Sequence, residues 1–421
     1  MKAVVFHGIG DIRMDDMPEP TIQDPKDAIL RVTASAICGT DLHMVRGTEA
    51  GMEPGTILGH EAIGIVERVG PEVKNIKAGD RVVVTSSITC GYCENCLQER
   101  YDLCLNSNPN GFRGATAFFG GPKPTGAFNG LQAEKARIPY ADNTLVKLPD
   151  TITDDQAILL SDILPTAYYG VDLAEIGTGN TVAVFGCGPV GLAAILCAQY
   201  VGAGRIFAID NIESRLAKAR ELGAEAINFD KDDPVTTIKN LTGKIGVDRV
   251  IDCVGVDANR PHGGLVQQVK TLIQSKPLNQ SKKQAEQESN PQGDNWHPGD
   301  APAQALIWDV EVVAKAGTVA LIGVYPETVK VFPLGVAMNK NVTVTMGHCP
   351  HRRYLPELIS LVDNKMIEPT RILTEHEPLS SAIDAYKLFD ERTPGWIKVM
   401  LDVTSGTGSQ TTTTTTTTQP A

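Results

Sequence analysis

A glycine-rich turn between an apolar strand and a helix constrains the fold of this chain more than any other feature. The strand-like run TVAVF leads into Gly186, Gly188 and Gly191, which are spaced as G-x-G-x-x-G. Pro189 and Val190 open the helix-like run of small residues that follows. The glycines permit a tight turn, close approach of a phosphate and close helix–strand packing. This context predicts a dinucleotide-binding unit with the pyrophosphate at a helix N-terminus.

The runs after this turn continue the alternation of strand and helix. RIFAID, DRVIDCVG, TVALIGV and VTVTMG read as further strands, with helix-like stretches such as ESRLAKARELGA between them. Such alternation predicts a parallel, doubly wound sheet over residues 161–349. Asp210 ends the strand RIFAID, where a carboxylate can accept hydrogen bonds from both hydroxyls of a ribose. Because a 2′-phosphate would meet this negative charge, Asp210 predicts NAD in preference to NADP.

Four cysteines fall within the short segment CGYCENCLQERYDLC. Cys90, Cys93, Cys96 and Cys104 are spaced as C-x2-C-x2-C-x7-C. Four thiolates at this spacing can surround one tetrahedral Zn²⁺. Two disulfides or a group of buried free thiols are the alternatives, but dense cysteines in a chain of cytosolic character favour a metal. The segment therefore predicts a closed, structural zinc lobe over residues 90–104.

A cysteine and a histidine upstream of the lobe suggest a second, open metal site. Cys38 lies in AICGTDLH and His60 lies in LGHEAIG. Either residue alone is more often part of a core. However, Asp41 follows Cys38 by three residues and Glu61 follows His60 directly, so both acids can orient the ligands through hydrogen bonds. A catalytic zinc needs a third protein ligand, which spacing alone does not identify.

Composition excludes several classes of function. The chain has 421 residues, 42% of them hydrophobic and 21% charged, as is ordinary for a soluble enzyme of two domains. Its formal net charge of −12, without a basic cluster, argues against nucleic acid as a partner. The N-terminus reads as a strand and a turn, and no run of eighteen apolar residues occurs. We therefore expect a cytoplasmic protein outside the membrane.

The pattern along the chain predicts a division into domains. Residues 1–160 alternate short β-like runs with glycine and proline turns, which is typical of a barrel-like β domain that would hold both zinc sites. Residues 161–349 form the sheet domain. A polar stretch at about 257–303 reads as a surface insertion. The threonine-rich tail, residues 404–421, is of low complexity and predicts disorder.

These motifs resemble those of the zinc-dependent medium-chain alcohol dehydrogenases. The shared segments are Cys38-Gly39-Thr40-Asp41, Gly59-His60-Glu61, the cysteine lobe and the glycine turn, and the match runs from about residue 1 to residue 403. The resemblance implies an α/β protein in which a GroES-like, barrel-type catalytic domain is joined to a Rossmann domain. It also implies that residues 350–403 return to the catalytic domain. The segment LLSDILPTAYYG most resembles the branch of glutathione-independent formaldehyde dehydrogenases.

The resemblance names Asp162 as the third ligand of the catalytic zinc, beside Cys38 and His60. It thus implies two zinc ions per subunit, one catalytic and one structural. The alternative interpretation makes Asp162 a turn or capping residue ahead of a helix that starts near Pro165. In the family, the zinc polarises an alcohol oxygen so that a hydride can leave the carbon for NAD⁺.

The resemblance also assigns the residues around the cofactor. Thr40 and His43 match a hydroxyl and an imidazole that relay the alcohol proton by way of the nicotinamide ribose. Thr166 matches a position that faces the nicotinamide amide. Arg215 matches a position near the adenosine ribose, and Lys398 one near the pyrophosphate.

The function that follows is hydride transfer between NAD and a small alcohol or aldehyde hydrate, with formaldehyde as a candidate. Dismutation of aldehydes is a further candidate if NAD stays bound. The alternatives are a polyol or amino-alcohol dehydrogenase of the sorbitol or threonine type, and a non-catalytic nucleotide-binding protein. The family implies a homo-oligomer, either a dimer or a tetramer. By analogy, the insertion at 257–303 covers the adenine side of the cofactor, although a plain solvent loop is an equal alternative.

Aromatic residues follow the lobe in a segment rich in glycine and proline. They either line an apolar substrate pocket or pack the lobe, and the sequence does not choose between these roles. The residues are Phe112, Phe118, Phe119 and Phe128.

Overall fold

A computed structural model of the chain describes residues 1–262, 289–326 and 329–404. The predicted tail from residue 405 onward and the middle of the polar insertion lie outside these ranges.

The first part of the chain forms mainly short strands rich in β-branched residues, such as RVVV, which suit a pleated sheet. Its strands are β1 (Lys2–Gly8), β2 (Asp11–Asp16), β3 (Ala28–Ile37), β4 (Ala62–Val69), β5 (Arg81–Val84), β6 (Lys135–Ile138) and β7 (Leu145–Lys147). Its helices are α1 (Gly39–Arg46), α2 (Glu94–Leu97), α3 (Ala141–Thr144), α4 (Asp154–Ser161) and α5 (Ile163–Leu173).

The middle part alternates strands and helices. Its strands are β8 (Thr181–Phe185), β9 (Arg205–Asp210), β10 (Glu225–Asn228), β11 (Val247–Asp252), β12 (Val313–Leu321) and β13 (Thr343–Met346). The helices between them are α6 (Pro189–Tyr200), α7 (Glu213–Glu221), α8 (Pro234–Leu241), α9 (Gln304–Val312) and α10 (Leu334–Asn339). The last part contains α11 (His351–Asp363), β14 (Glu375–Pro378), α12 (Ala382–Asp390) and β15 (Val399–Asp402).

The middle part is the predicted doubly wound sheet. Its six strands lie in the order β10-β9-β8-β11-β12-β13, and all of their pairings are parallel. Strands of this kind are covered by helices on both faces, which explains apolar runs such as TVAVF. The chain reverses its winding direction between β8 and β11, and ligands of such sheets bind at the carboxyl ends of the strands there. The fold therefore places a ligand cleft beside the glycine turn.

The C-terminal strands complete the sheet of the first part. β15 pairs antiparallel with β3, and β14 pairs with β15, giving a seven-stranded sheet. In this register Val399 lies opposite Ile37. Lys398 and Cys38, which flank these two residues, are thereby brought together although they are far apart in sequence.

The described end of the polar insertion is anchored to the first and last parts of the chain. Trp296 is 2% exposed and packs in the same core as β1 and α12. Its backbone N–H donates to Asp390 Oδ2 at 2.6 Å, and Asn290 Nδ2 donates to the Ile9 carbonyl at 2.9 Å. The polar composition predicted a surface loop. An average over the whole segment does not show that one large apolar side chain, Trp296, is buried. The described residues of the insertion therefore connect the middle part of the chain to its first and last parts.

A buried ion network also joins the first, middle and last parts of the chain. The Arg46 guanidinium, in α1, pairs with Asp390, in α12, and with Asp257, which follows β11. Arg46 is 3% exposed. The attraction of the two carboxylates outweighs the effect of burial and raises the pKa of Arg46. A buried ion pair is costly to break by removing one partner, so this network fixes the relative position of α1 and β11.

Two neighbouring buried carboxyl groups generate a prediction about how stability depends on pH. Asp309 and Asp252 are both fully buried, and no donor among the described residues reaches either oxygen of Asp309, although a protonated Asp309 can itself donate to Asp252. Burial and the negative charge of Asp252 raise the pKa of Asp309 well above its usual 3.8. The unfolded chain releases this proton near the usual pKa, whereas the folded chain retains it. Stability is therefore lost as the pH rises from about 4 towards the folded pKa.

We expect Asp309→Asn to remove this loss, because the amide is neutral at every pH. The free energy of unfolding at pH 8 should rise by about 1–3 kcal/mol, and the gain should shrink as the pH is lowered towards 4. Urea unfolding at several pH values measures the effect. Asp150→Asn, at an exposed position, is the control and should change stability little at any pH. A gain that is independent of pH would contradict the shared-burial explanation.

Candidate metal and cofactor site

Cys38 is fixed at the junction of a strand and a helix. It directly follows β3, and α1 begins at the next residue. The Cys38 backbone N–H donates to Asp41 Oδ2 at 2.9 Å, so a carboxylate of the first helical turn stabilises this junction. Cys38 is 4% exposed. Its thiol is therefore held inside the protein at a defined position.

Cys38, His60 and Asp162 meet in one buried cluster together with Glu61. One possible ligand atom of each residue lies within 4.8 Å of the others. Asp162 Oδ2 is 3.7 Å from Cys38 Sγ and 3.5 Å from His60 Nε2. Donor atoms bound to one tetrahedral zinc at about 2.0–2.3 Å lie roughly 3.3–3.8 Å apart. A thiolate, an imidazole and a carboxylate at these separations fit a catalytic zinc.

Asp162 lies at the break between two helices. α4 ends at Ser161 and α5 begins at Ile163. Asp162 occupies the capping position of α5, but its side chain makes no capping hydrogen bond. Asp162 thus has the position of a capping residue, but its carboxylate faces the cluster; its role as a zinc ligand stays a prediction.

Asp41 orients the imidazole of His60. Asp41 Oδ1 is 3.0 Å from His60 Nδ1. Because a carboxylate only accepts hydrogen bonds, Nδ1 carries the hydrogen, which leaves Nε2 as the metal-binding nitrogen. The arrangement agrees with the orienting role expected for Asp41.

Lys398 lies behind the cluster and not in the cofactor cleft. Its ammonium is fully buried and donates to Glu61 Oε1 at 2.6 Å, to Glu61 Oε2 at 2.7 Å and to the Ile37 carbonyl at 3.1 Å. These contacts use the three donors of the ammonium. The expectation that Lys398 contacts the pyrophosphate is therefore corrected. In this structure Lys398 compensates the buried charge of Glu61.

The electrostatics of the cluster follow from burial and close charges. Burial raises the pKa of the Cys38 thiol and raises the pKa of Glu61 to about 7 in spite of Lys398. Burial would lower the pKa of His60, but the charges of Asp41 and Cys38 outweigh it and raise this pKa well above the usual value. Acids and bases are thus held together away from water, where a cation is the natural partner of the thiol and carboxylate.

Sequence reasoning missed His351, which contacts Asp162 directly. His351 Nε2 is 2.7 Å from Asp162 Oδ1, and the residue is 6% exposed. Burial alone would raise the pKa of Asp162, but the hydrogen bond from His351 and the nearby His60 ring hold it well below the usual value. The segment GHCPH is unusual in having two histidines beside a cysteine, but its spacing does not relate it to Asp162.

Thr40 and His43 line a cleft that also reaches Cys38 and the glycine turn. His43 is 6% exposed, and its Nδ1 is 3.0 Å from Thr48 Oγ1 and 3.4 Å from Asp257 Oδ2. Burial lowers the pKa of His43 from its usual 6.5, which favours a neutral ring that can accept a proton. The proton relay stays a prediction.

The glycine turn forms one wall of this cleft. Gly186 has φ of +84°, and a Cβ atom on Gly191 would lie 1.8 Å from the Gly186 carbonyl. The first and third glycines are thus needed for the turn and for close packing. Asp210 lies at the end of β9, where its Oδ2 accepts from the Cys187 N–H at 2.7 Å. The cleft therefore contains the glycine turn and the carboxylate that the sequence predicted for a dinucleotide site.

Positive charge in the cleft comes from arginines. Arg215, predicted from the resemblance, lines it, and so do Arg46 and Arg392, which sequence reasoning did not single out. Burial lowers the pKa of Arg392 to about 10, and the neighbouring Arg215 contributes to this shift. Because Arg46 is already paired with Asp257 and Asp390, Arg215 and Arg392 are the cations of this group that could face a pyrophosphate in place of Lys398. Thr166 instead donates to Asp162 Oδ1 at 3.1 Å, and its contact with the nicotinamide stays a prediction.

The four cysteines of the lobe form a second cluster. Ligand atoms of Cys90, Cys93, Cys96 and Cys104 lie within 4.8 Å of one another, and all four thiols are free. The Cys90 and Cys96 sulfurs are 3.9 Å apart, close to the roughly 3.8 Å expected for two thiolates on one tetrahedral zinc. The Cys90 sulfur also accepts from the Cys93 N–H at 3.4 Å. The cluster fits a closed structural zinc site.

The aromatic residues after the lobe separate into different roles. The Phe118 ring lies edge-on to the His60 ring, with 6.2 Å between ring centroids. Phe119 is fully buried in the core, and Phe112 is 80% exposed. Phe118 is therefore the member of this group that borders the metal cluster.

Comparison with known proteins gives the family. Residues 24–150 match the alcohol dehydrogenase GroES-like domain, and residues 189–262 match the zinc-binding dehydrogenase domain. The uncharacterised zinc-type alcohol dehydrogenase-like protein AdhB of Bacillus subtilis is 36% identical over 95% of this chain and all of its own length. The chain belongs to the zinc-type, medium-chain alcohol dehydrogenase family, and it is an oxidoreductase with a GroES-like and a Rossmann domain.

Further relatives agree with this family. Alcohol dehydrogenase TADH from Thermus sp. ATN1 matches with a TM-score of 0.77 and 32% identity, covering 96% of this chain and all of that one. The glutathione-independent formaldehyde dehydrogenase of Pseudomonas aeruginosa is 40% identical over 62% of this chain and 67% of its own length. Among the described residues, no helix is long and apolar enough to cross a membrane.

The two clusters generate a paired prediction. Asp162→Ala should lose one equivalent of zinc and nearly all turnover while the fold is kept, because an open site supports chemistry and not the core. Cys96→Ser should lose the other equivalent and lower the melting temperature, because a closed site contributes folding energy. Elemental analysis and thermal melts of the two purified variants measure this. Each variant is the control for the other, and equal losses of thermal stability would contradict the assignment of roles.

Proposed function

We propose that this protein is an NAD- and zinc-dependent dehydrogenase of small alcohols and aldehyde hydrates, with one catalytic and one structural zinc in each subunit. The observation that carries the proposal is the position of Cys38. It belongs to the metal cluster with His60 and Asp162, and it also lines the cleft that contains the glycine turn. A substrate oxygen at the metal would therefore lie next to a nicotinamide in the cleft.

Different residues of the chain would hold the metal and transfer the proton in the proposed reaction. Zinc, when bound, supplies Lewis-acid polarisation of the substrate oxygen. Cys38, His60 and Asp162 would hold the ion and leave one position open. Thr40, in the first turn of α1, would accept the hydroxyl proton of the substrate while it releases its own, and His43, one turn further on, would be the final acceptor of the released proton. The lowered pKa of His43 suits a group that starts the forward reaction without a proton.

The carboxylate of Asp210 supports NAD as the cofactor. Asp210 lines the cleft, and its Oδ1 accepts from the N–H groups of Asn211 and Ile212 at 2.7 and 2.9 Å. These bonds hold the carboxylate at the end of β9, where a ribose would lie. A 2′-phosphate at this place would face a negative charge.

Formaldehyde is a candidate substrate because the formaldehyde dehydrogenases are similar to this chain over about two thirds of their length. Because the apolar ring of Phe118 lies beside His60 of the cluster, it favours a small, uncharged substrate. Polyols and amino alcohols remain the alternatives, and relative rates with the different substrate classes distinguish them.

We further propose a cytoplasmic homo-oligomer. β13 is an edge strand of the parallel sheet. Large apolar side chains are exposed beside it on α10 and at its end, namely Leu334, Met338 and Met346. An exposed strand edge with an apolar margin is suited to pairing with a second copy of the chain.

A panel of alcohols and aldehydes tests the proposed reaction. With NAD⁺, short primary alcohols or aldehyde hydrates should give NADH with the highest kcat/KM, and Asp162→Ala should lower every rate by at least a thousandfold. Dismutation would give equal acid and alcohol with no net NADH. Highest kcat/KM with polyols or amino alcohols would move the assignment to the alternative substrates. A protein that binds zinc and NAD but turns over no member of the panel would refute the proposal.

The role of Asp210 is tested by cofactor preference. Asp210→Ala should reduce the ratio of kcat/KM for NAD⁺ over NADP⁺ by roughly ten- to a hundredfold, since bonds to a charged group contribute about 1.5–3 kcal/mol. Asp232→Ala removes an exposed carboxylate of the same sheet domain and should leave the ratio unchanged. If Asp210→Ala also leaves it unchanged, Asp210 does not select the cofactor.

A further inference from the structure

The two oxygens of the Asp162 carboxylate have different surroundings. Oδ2 faces Cys38 Sγ at 3.7 Å and His60 Nε2 at 3.5 Å, so it is the oxygen directed at the metal position. Oδ1 instead faces His351 Nε2 at 2.7 Å and accepts from Thr166 Oγ1 at 3.1 Å. One oxygen is thus available to a metal, and the other is engaged by the protein.

The hydrogen-bond chain fixes the tautomer of His351. A carboxylate only accepts, so His351 Nε2 must carry the hydrogen that is shared with Asp162 Oδ1. His351 Nδ1 is 3.2 Å from Ser87 Oγ, and the Ser87 hydroxyl can donate to it. Ser87 and His351 are 2% and 6% exposed. Water therefore does not compete with this chain of bonds.

The fold holds His351 rigidly in this position. His351 is the first residue of α11, and Pro350 occupies the capping position before it. Pro350 and Cys349 are both buried, and α11 packs against α4 and α5, the two helices between which Asp162 lies. The imidazole is therefore anchored by the same packing that sets the ligand.

We propose that His351 is a positioning residue for the catalytic metal, which keeps Asp162 a ligand through Oδ2 alone. The inference rests on the proposed metal site at Cys38, His60 and Asp162. By occupying Oδ1, His351 prevents the carboxylate from turning to bind an ion through both oxygens. The ion then has three protein ligands and retains an open position for the substrate oxygen. Partners of this kind typically change metal affinity by about 10–100-fold.

Replacement of His351 by two residues of opposite donor capacity tests the proposal. In His351→Gln, the amide Nε2 lies at nearly the same reach as the imidazole Nε2 and can donate to Asp162 Oδ1. In His351→Leu, a similar volume is kept and the donor is lost. We expect His351→Leu to bind zinc at the catalytic site 10–100-fold more weakly in chelator competition, and His351→Gln to recover most of this affinity.

Spectra of the Co²⁺-substituted proteins provide a readout that does not depend on turnover. Four-coordinate Co²⁺ absorbs visible light more strongly than five-coordinate Co²⁺. The wild type and His351→Gln should therefore give intense bands, and His351→Leu should give weaker, shifted bands as Asp162 becomes a two-oxygen ligand. Zinc in the cysteine lobe should be unchanged in all variants. His376→Leu, at an exposed histidine that pairs with Asp155 and is not part of the cluster, should behave as the wild type.

The outcomes separate this inference from the proposed function. If Asp162→Ala keeps its zinc, the metal site itself is wrong. If Asp162→Ala loses zinc while His351→Leu keeps both wild-type affinity and wild-type Co²⁺ bands, the metal site stands and the role of His351 is refuted. If His351→Leu does not fold, His351→Gln decides by the same two measurements: a spectrum that departs from the wild type despite a retained donor overturns the proposal, and a wild-type spectrum supports it.

Discussion

The concentration of buried acid around Cys38 is the constraint on which the rest of the site depends. Asp41, Glu61 and Asp162 are all buried within this region beside the thiol, and Lys398 compensates only Glu61. Burial of charge is costly; hydrogen bonds stabilise Asp41 and Asp162 in part, but an ionised Cys38 thiol beside the Asp162 carboxylate would still need a cation near both groups. A divalent metal satisfies them with one ion, and the histidines complete the coordination and its support.

Building this cluster requires both halves of the chain. Cys38 follows β3, His60 precedes β4, Asp162 separates α4 from α5, and Lys398 precedes β15. Of these residues, only Lys398 comes after the parallel sheet in the chain. The antiparallel pairing of β15 with β3 brings it to the cluster. The return of the C-terminal strands to the first sheet is therefore part of the chemistry, because without it Glu61 would lie buried beside no ammonium.

Site residues that belong to a motif with a recognisable local spacing could be predicted from the sequence. The cysteine lobe, the glycine turn and the Cys38 and His60 segments each carry their signal within a few residues. Asp162 came only from the resemblance, since no spacing rule joins it to His60. The buried pairing of Lys398, the contact of His351 and the anchored Trp296 depend on packing between distant segments. Composition and periodicity average over such single residues and so cannot show them.

Helix α1 couples the metal to the cofactor. Cys38, at its N-terminus, belongs to the metal cluster, while Thr40 and His43, within it, line the cofactor cleft. Arg46, at its last residue, forms the buried pairs with Asp257 and Asp390. A helix of eight residues is about 12 Å long, so the Arg46–Asp257 pair links the sheet domain through one short element to the cysteine at its other end. One short helix therefore carries both a cysteine of the metal cluster and two residues that line the cleft, so the spacing between these groups is set within a single element.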